Sequence, residues 1–305
     1  CLEIRHDVAA LDEPGFWAVI APFVGEPTFA RFETVSESEF VGEGAWLGIA
    51  TKWESSFSRN EYLNYVETIR NEIADGWVYQ VNACRILSAP IQDGVSLRPL
   101  MSDLLENNPA PHSLYLNLPT MEIASASPEL FMRVTKTAQG ERNVKSSPIK
   151  GTSATSEFLE KDLAENVMIV DLIRNDVSQV AFPIQVEKYK YIDQIKSHEG
   201  DLWQMSSQIS GELLPEYQGK LGSILHKLLP AGSISGAPKA STLRIIEDIE
   251  EYDRGFYTGI MGQFDGKELN TGVMIRFIEQ QDEQLIFKSG GGITIFSEEE
   301  MEYQE

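Results

Sequence analysis

Cysteine is scarce in this chain of 305 residues: Cys1 and Cys84 are the two present. Two cysteines are too few for a disulfide framework or a thiolate metal site. Cys84, in VNACRIL, reads as a small core residue on a strand and lacks the glycine-flanked setting of a nucleophile elbow. Basic residues are also in short supply, 25 against 47 acids, which leaves a formal charge of −22. That field repels nucleic acid and anionic membrane surfaces, so neither is expected as a partner. An anionic substrate would need local compensation from a metal ion, a few placed cations or backbone N–H groups. Long apolar runs are missing too. None approaches the ~18 to 20 residues that span a bilayer, and no basic segment followed by an apolar stretch opens the chain. The expectation is a cytoplasmic protein.

What is present suits a sizeable core, since 42% of the residues are hydrophobic and 10% aromatic. The first fifty residues alternate short apolar runs such as FWAVIAPF and WLGIA with Gly and Pro, which suggests strands. In EYLNYVETIRNEI, Leu63, Val66, Ile69 and Ile73 have the spacing of an amphipathic helix. Residues 157–173 read as a long helix, 221–229 and STLRIIEDIE as shorter ones, and PAGSISGAPK as a loop between them. VYQVNACRIL, SLYLNL, IQVEKYKY, QMSSQISGEL, FYTGIMGQF, TGVMIRFIE and QLIFKSGGG read as strands. Strands arrive in groups without strict β-α alternation. This predicts an α+β fold of large antiparallel sheets packed together with helices outside. Residues 1–305 are read as one catalytic domain, with 1–75 as its N-terminal sheet and helix portion. There is no internal repeat or low-complexity linker.

Several stretches carry chemistry-bearing residues. In SPIKGTS, Lys150 sits between a β-branched residue and a glycine, where a chain makes a constrained turn. A lysine held in such a turn loses hydration, which favours the free amine as nucleophile or base; the plain alternative is a turn lysine snorkelling to water. In EKDLAENVMIVDLIRND, Leu159, Leu163, Val167 and Val170 form an apolar stripe, and Asp162 and Glu165 project beside one another on a neighbouring face. The two acids read either as a solvated face or as half of a divalent-metal site, since hard cations take carboxylate oxygens. Glu302 and Glu305 repeat the spacing in EEEMEYQE, and the same alternatives stand. PAGSISGAPKAST is not a P-loop, because Gly232 and Gly236 enclose three residues and Lys239 comes later. It remains a turn able to offer N–H groups and hydroxyls to an anion. The glycines of KSGGGI permit close backbone approach to a ligand. Arg276, in the apolar run GVMIRFI, either pairs with a carboxylate or grips an anionic ligand.

Taken together, SPELF, PIKGT, AENVMIVDLIRND, PAGSISGAPK, SGGGI and MEYQE resemble, in order and spacing, the chorismate-utilising enzymes: anthranilate synthase component I, aminodeoxychorismate synthase component I, and the isochorismate and salicylate synthases. The resemblance runs from about Tyr79 to Glu305. Anthranilate synthases read PIAGT where aminodeoxychorismate synthases read PIKGT, so Lys150 sides with the latter. The resemblance implies amination of chorismate at ring carbon 4 to 4-amino-4-deoxychorismate, in folate biosynthesis. It assigns Lys150 as nucleophile and Glu129 of SPELF as general acid. It implies Mg²⁺ held by Asp162, Glu165, Glu302 and Glu305. Substrate contacts are implied at Gly151, Thr152, Ser233, Tyr257, Arg276, Gly290, Gly291, Gly292 and Gln80. Gln80 stands where the isochorismate and salicylate synthases carry a water-activating lysine, and its amide cannot serve as that base. No Cys–His–Glu constellation is present, so ammonia is expected from solution or a glutaminase partner. Gln204 replaces a family histidine, and the short N-terminal region gives no ground for a regulatory tryptophan pocket. The rival within the family is amination at carbon 2 with loss of pyruvate, as in anthranilate synthase.

Overall fold

The computed structural model describes residues 1–33, 35–36, 39–42, 44–49, 51–91, 95–197 and 200–304. Among these, the strands form three sheets in which the paired strands run antiparallel. A ten-stranded sheet runs from Glu3–Arg5 through Thr28–Phe32, Phe16–Ala21, Ile260–Phe264, Leu269–Val273, Leu130–Lys136, Arg142–Ser147 and Gly200–Leu213 to Ile149–Ser153, with Ala181–Ser197 also paired to Gly200–Leu213. A six-stranded sheet has the order Glu54–Ser55, Arg85–Pro90, Gln284–Ser289, Phe277–Gln281, Met121–Ser127, His112–Leu118. A small sheet joins Gly236–Ala237, Gln80–Asn82 and Gly292–Ile293. Seven α-helices are described: α1 (Arg59–Ala74), α2 (Arg98–Asn107), α3 (Glu160–Ser178), α4 (Leu221–Leu228), α5 (Gly232–Ser235), α6 (Lys239–Ile249) and α7 (Glu299–Gln304). The antiparallel α+β expectation holds.

The strand Phe16–Ala21 shows how the layers are built. Trp17, Val19 and Ala21 enter one hydrophobic cluster with Ile169, Ile173 and Val177 of α3 and Ile224 and Leu225 of α4. Ala18 and Ile20 point the other way, into a cluster with Leu116, Ile123 and Phe277 of the six-stranded sheet. Period-two alternation thus buries both faces of this strand, one under helices and one against the second sheet. Helix α1 starts where Ser58 and Glu61 form a capping box, with Ser58 N–H donating to Glu61 Oε2 at 2.7 Å. It buries Tyr62, Tyr65, Val66 and Ile69, one helical face.

Two apolar runs that read as single strands are broken. TGVMIRFIE divides into Leu269–Val273 of the large sheet and Phe277–Gln281 of the six-stranded sheet. Arg276 therefore lies in the crossing, at a left-handed φ of 55°, and not inside a strand. VYQVNACRIL likewise divides into Gln80–Asn82 and Arg85–Pro90, in different sheets, with Cys84 buried between them. Flanks that are apolar on both sides of a crossing hide the crossing.

A buried polar network pins the second of these crossings. Arg254, 2% exposed, donates to both carboxylate oxygens of Glu250, at 2.7 and 2.5 Å, and to the Asn82 carbonyl at 2.6 Å. Its guanidinium lies over Phe23, 4.9 Å from the ring centroid. Tyr65 Oη donates to Glu250 at 2.5 Å and accepts from the Cys84 N–H at 3.3 Å. Removing one partner of a buried ion pair leaves an uncompensated charge. Glu250→Ala should therefore lower the unfolding free energy by about 3 to 5 kcal/mol in chemical denaturation, and a loss under about 1 kcal/mol would show that the network is dispensable.

Candidate active site

Three chain crossings between sheets line one cavity of about 670 Å³, and a fourth packs behind it, with Ala83 O against Gly290. Residues 128–129 lead from the six-stranded to the ten-stranded sheet, 274–276 lead back, 83–84 leave the small sheet, and 290–291 return to it. Crossings suit a site because their backbone is not consumed by ladder hydrogen bonds. The cavity gathers Glu129, Lys150, Gly151, Thr152, Asp162, Glu165, Tyr257, Arg276, Gly290, Gly291, Gly292 and Glu302, sequence-derived candidates drawn from across the chain. Gln204 also lines it, opposite Thr152 in the sheet.

Lys150 stands on a strand, Ile149–Ser153, rather than in a free turn. Ile149 pairs with Ser206 and Thr152 with Gln204, so one extra residue bulges out at Lys150 and Gly151. Gly151 has φ +94°, and a Cβ there would come within 3.0 Å of the Phe158 ring and 3.2 Å of Asp162 Cβ. Glycine is thus needed both for the backbone and for the close approach of α3. The expected constraint around Lys150 is real, and its device is a β-bulge.

Glu129 is 4% exposed. Burial pushes its carboxyl up to about 6, against opposing pulls from a Ser233 hydrogen bond, the Lys150 charge and the Ile149 backbone. Ser233 itself is buried on α5 and does not line the cavity; it acts on the site through Glu129. Tyr257 is buried, its hydroxyl hydrogen-bonded with Asn82, and its pKa is raised mainly by burial. Gly290 is crowded by Ala83 O, 1.8 Å from where a Cβ would stand, and by the Tyr257 hydroxyl at 2.8 Å. Gln80 lies behind the glycine run and not on the cavity wall, its Nε2 1.9 Å from where a Gly292 Cβ would be. Arg276 is exposed at the cavity mouth, has no ion-pair partner among the described residues, and has its pKa lowered by the protein packed around it.

The acids expected to hold Mg²⁺ converge in part. Asp162, Glu165 and Glu302 line the cavity, while Glu305 lies outside the described residues. Glu165 has its pKa raised chiefly by burial and further by Asp162 and Glu302, against Lys150 and Lys161. Its Oε1 is buried without a hydrogen-bond partner. Lys161 Nζ stands 3.5 Å from Glu302 Oε1 and 4.0 Å from Glu165 Oε1. One Asp162 oxygen accepts the Leu159 N–H at 3.1 Å, serving the start of α3. Among the described residues no three such side chains form a ready-made metal cluster. The donor set, carboxylates with one orphaned buried oxygen, nevertheless fits a hard cation.

The sequence reading missed three residues. Lys161 is the i−4 neighbour of Glu165, a spacing that could have flagged it. Lys288 lines the cavity and pairs with Glu279 at 2.8 Å, both nearly buried; its signal was a cation in the apolar run QLIFK. Asn82, which positions Tyr257, gave no sequence signal.

Glu129 carries a pH signature. Its pKa rises on folding from 4.5 to about 6, so its contribution to stability is full below pH 4.5 and lost as pH climbs through about 6. Glu129→Gln should thus be more stable than wild type by about 2 kcal/mol at pH 8, the difference vanishing near pH 4 in denaturation curves. Equal stability at pH 8 would mean that the carboxylate bears no burial penalty.

The geometry can be set beside known proteins. A family model described as chorismate binding enzyme matches residues 48–305. The chain is 41% identical over 263 residues to a PabA-like protein of Haemophilus influenzae, covering 84% of this chain and 75% of that one. It is 33% identical over 269 residues to aminodeoxychorismate synthase component 1 of Bacillus subtilis, covering 84% of this chain but 55% of that one. The crystal structure of anthranilate synthase component I from Streptococcus pneumoniae superposes with a TM-score of 0.71 at 26% identity, over 83% of this chain and 57% of that one. The isochorismate synthase MenF of Escherichia coli shares the fold, with a TM-score of 0.77 at 15% identity over 100% of this chain and 81% of its own. The chain thus spans little more than half the length of the synthases of Bacillus and Streptococcus. It belongs to the chorismate-binding enzyme family.

Proposed function

We propose that the chain aminates chorismate at ring carbon 4, giving 4-amino-4-deoxychorismate. The observation that carries this reading is the placement of Lys150, on its bulge, with the buried carboxyl of Glu129 in one cavity, close enough for the lysine charge to act on that carboxyl. The unprotonated Lys150 amine attacks ring carbon 2; both conjugated ring double bonds shift and the carbon 4 oxygen departs. Hydroxide is a poor leaving group, so Glu129 delivers a proton and water leaves. Held up to about 6 by burial, Glu129 keeps a usable protonated fraction near neutrality. Ammonia then adds at carbon 4, and the electron pair returns to expel the lysine amine. Asp162, Glu165 and Glu302 would hold Mg²⁺, which when bound supplies the positive charge that a ring carboxylate needs in a chain of charge −22. Arg276 at the mouth, with no carboxylate partner among the described residues, offers a planar fork to the second carboxylate. Gly290, Gly291 and Gly292 let the substrate come close to the backbone.

Ammonia must reach the cavity from outside these residues. Cys84, the one buried thiol, has its pKa pushed up to about 12 by burial and is no glutaminase nucleophile. The anthranilate reading, amination at carbon 2 with loss of pyruvate, gives Lys150 no covalent task.

Purified protein incubated with chorismate, Mg²⁺ and an ammonium salt should yield a product of the mass of aminodeoxychorismate, resolved by chromatography. Formation should stop with excess chelator and resume with Mg²⁺. Anthranilate plus pyruvate would refute the carbon 4 assignment, and undiminished turnover in chelator would refute the role given to the acids.

A further inference from the structure

Helix α7 brings Glu302 to the cavity, yet it has six residues, none of which is buried. A helix so short has no stability of its own in water, so contacts outside it must hold it in place. Tyr303 supplies one: it packs against the cluster that contains Tyr62, Tyr65, Val66 and Ile69 of α1, with its ring 5.7 Å from that of Tyr62. Packing does not wedge the helix further, because a space of about 400 Å³ lies between Glu302, Tyr303 and Gln304 on one side and Arg85, Leu87, Phe287 and Ser289 on the other. Charge opposes the placement. Glu299, Glu300 and Glu302 share the first turn of α7, and Glu302 faces the same cavity as Asp162 and Glu165. Lys161 offsets part of this, 3.5 Å from Glu302 Oε1.

The rest of the compensation comes from arginines outside the cavity. Arg70 of α1 pairs with Glu299, and Arg59, at the start of the same helix, pairs with Glu300. Arg85 lays its guanidinium over the Tyr303 ring, 4.6 Å from the centroid, while its Nε donates to Ser55 Oγ at 2.8 Å. The three grip residues 299, 300 and 303, on both sides of Glu302 in the chain. With 25 basic residues against 47 acids, such a gathering of arginines on one short helix is a marked concentration. We propose that Arg59 and Arg70 are positioning residues: they dock α7 on α1, hold Glu302 beside Asp162 and Glu165, and so set the affinity of these carboxylates for a divalent cation. This rests on the metal reading of the acids given above. Neither arginine lines the cavity, so both act through the helix. As surface pairs they add little to global stability; their effect lies in the fraction of molecules that have Glu302 in place.

Arg59 is exposed and Arg70 partly so, and glutamine is accommodated at both. In Arg59→Gln/Arg70→Gln protein, amide hydrogen exchange of the peptide carrying residues 299–304 should be faster than in wild type, while that of α3 is unchanged. Titration calorimetry with Mg²⁺ alone should give a dissociation constant raised roughly tenfold. Arg70→Glu should also weaken Mg²⁺ binding, and Arg70→Glu/Glu299→Arg, which restores the pair with its charges exchanged, should return both readouts to within about twofold of wild type. Simple loss of packing at Arg70 would not be rescued in this way. Exchange or Mg²⁺ affinity unchanged in the double glutamine variant, or a charge exchange that restores neither, overturns the proposal and leaves the metal reading standing. A wild type that takes up no Mg²⁺ overturns the metal reading and the proposal with it, so the two failures are told apart.

Discussion

Gathering Glu129 and Glu165 around one cavity takes two carboxyls out of water, and the fold is arranged around holding them there. Each ion buried alone would cost several kcal/mol. Here each has an opposing neighbour: Lys150 acts on both Glu129 and Glu165, and Lys161 bridges Glu165 and Glu302. The compensation is incomplete, since the Glu129 and Glu165 carboxyls keep a raised pKa and Glu165 Oε1 has no hydrogen bond. An incompletely satisfied site is one that gains when a substrate or cation arrives.

The two stacked sheets supply the place for this. Strands that cross between sheets break their ladders at 128–129, 274–276 and 290–291, which line the cavity, and at 83–84, which packs behind Gly290. Second-layer residues hold the breaks: Arg254 and Glu250 fix Asn82, and Asn82 in turn holds Tyr257. Gln80 and Ser233 belong to this layer as well, one packed on Gly292 and the other bonded to Glu129.

Much of this was legible in the sequence. The helices α1, α4 and α6 follow apolar periodicity, and Asp162, Glu165 and Glu302 line one cavity with the glycines of KSGGGI. What the sequence concealed has a common cause. Periodicity reports that a residue is apolar, not which surface covers it. GVMIRFI is apolar on both sides of a crossing, so it read as one strand, and the left-handed turn at Arg276 left no mark. The stripe Leu159, Leu163, Val167 has helical spacing, yet it is exposed on this chain. The bulge at Lys150 and Gly151 read as a turn because both use glycine at positive φ.

Lys150 either forms a bond to the substrate or merely occupies a bulge. The direct measurement is peptide mass spectrometry after incubation with chorismate and Mg²⁺ without ammonia, followed by acid quench. With no amine to complete the second displacement, the peptide containing Lys150 should gain the mass of chorismate less water, and Lys150→Ala protein should show no adduct. An unmodified lysine, together with a Lys150→Ala variant that aminates carbon 4 at the wild-type rate, would contradict the account.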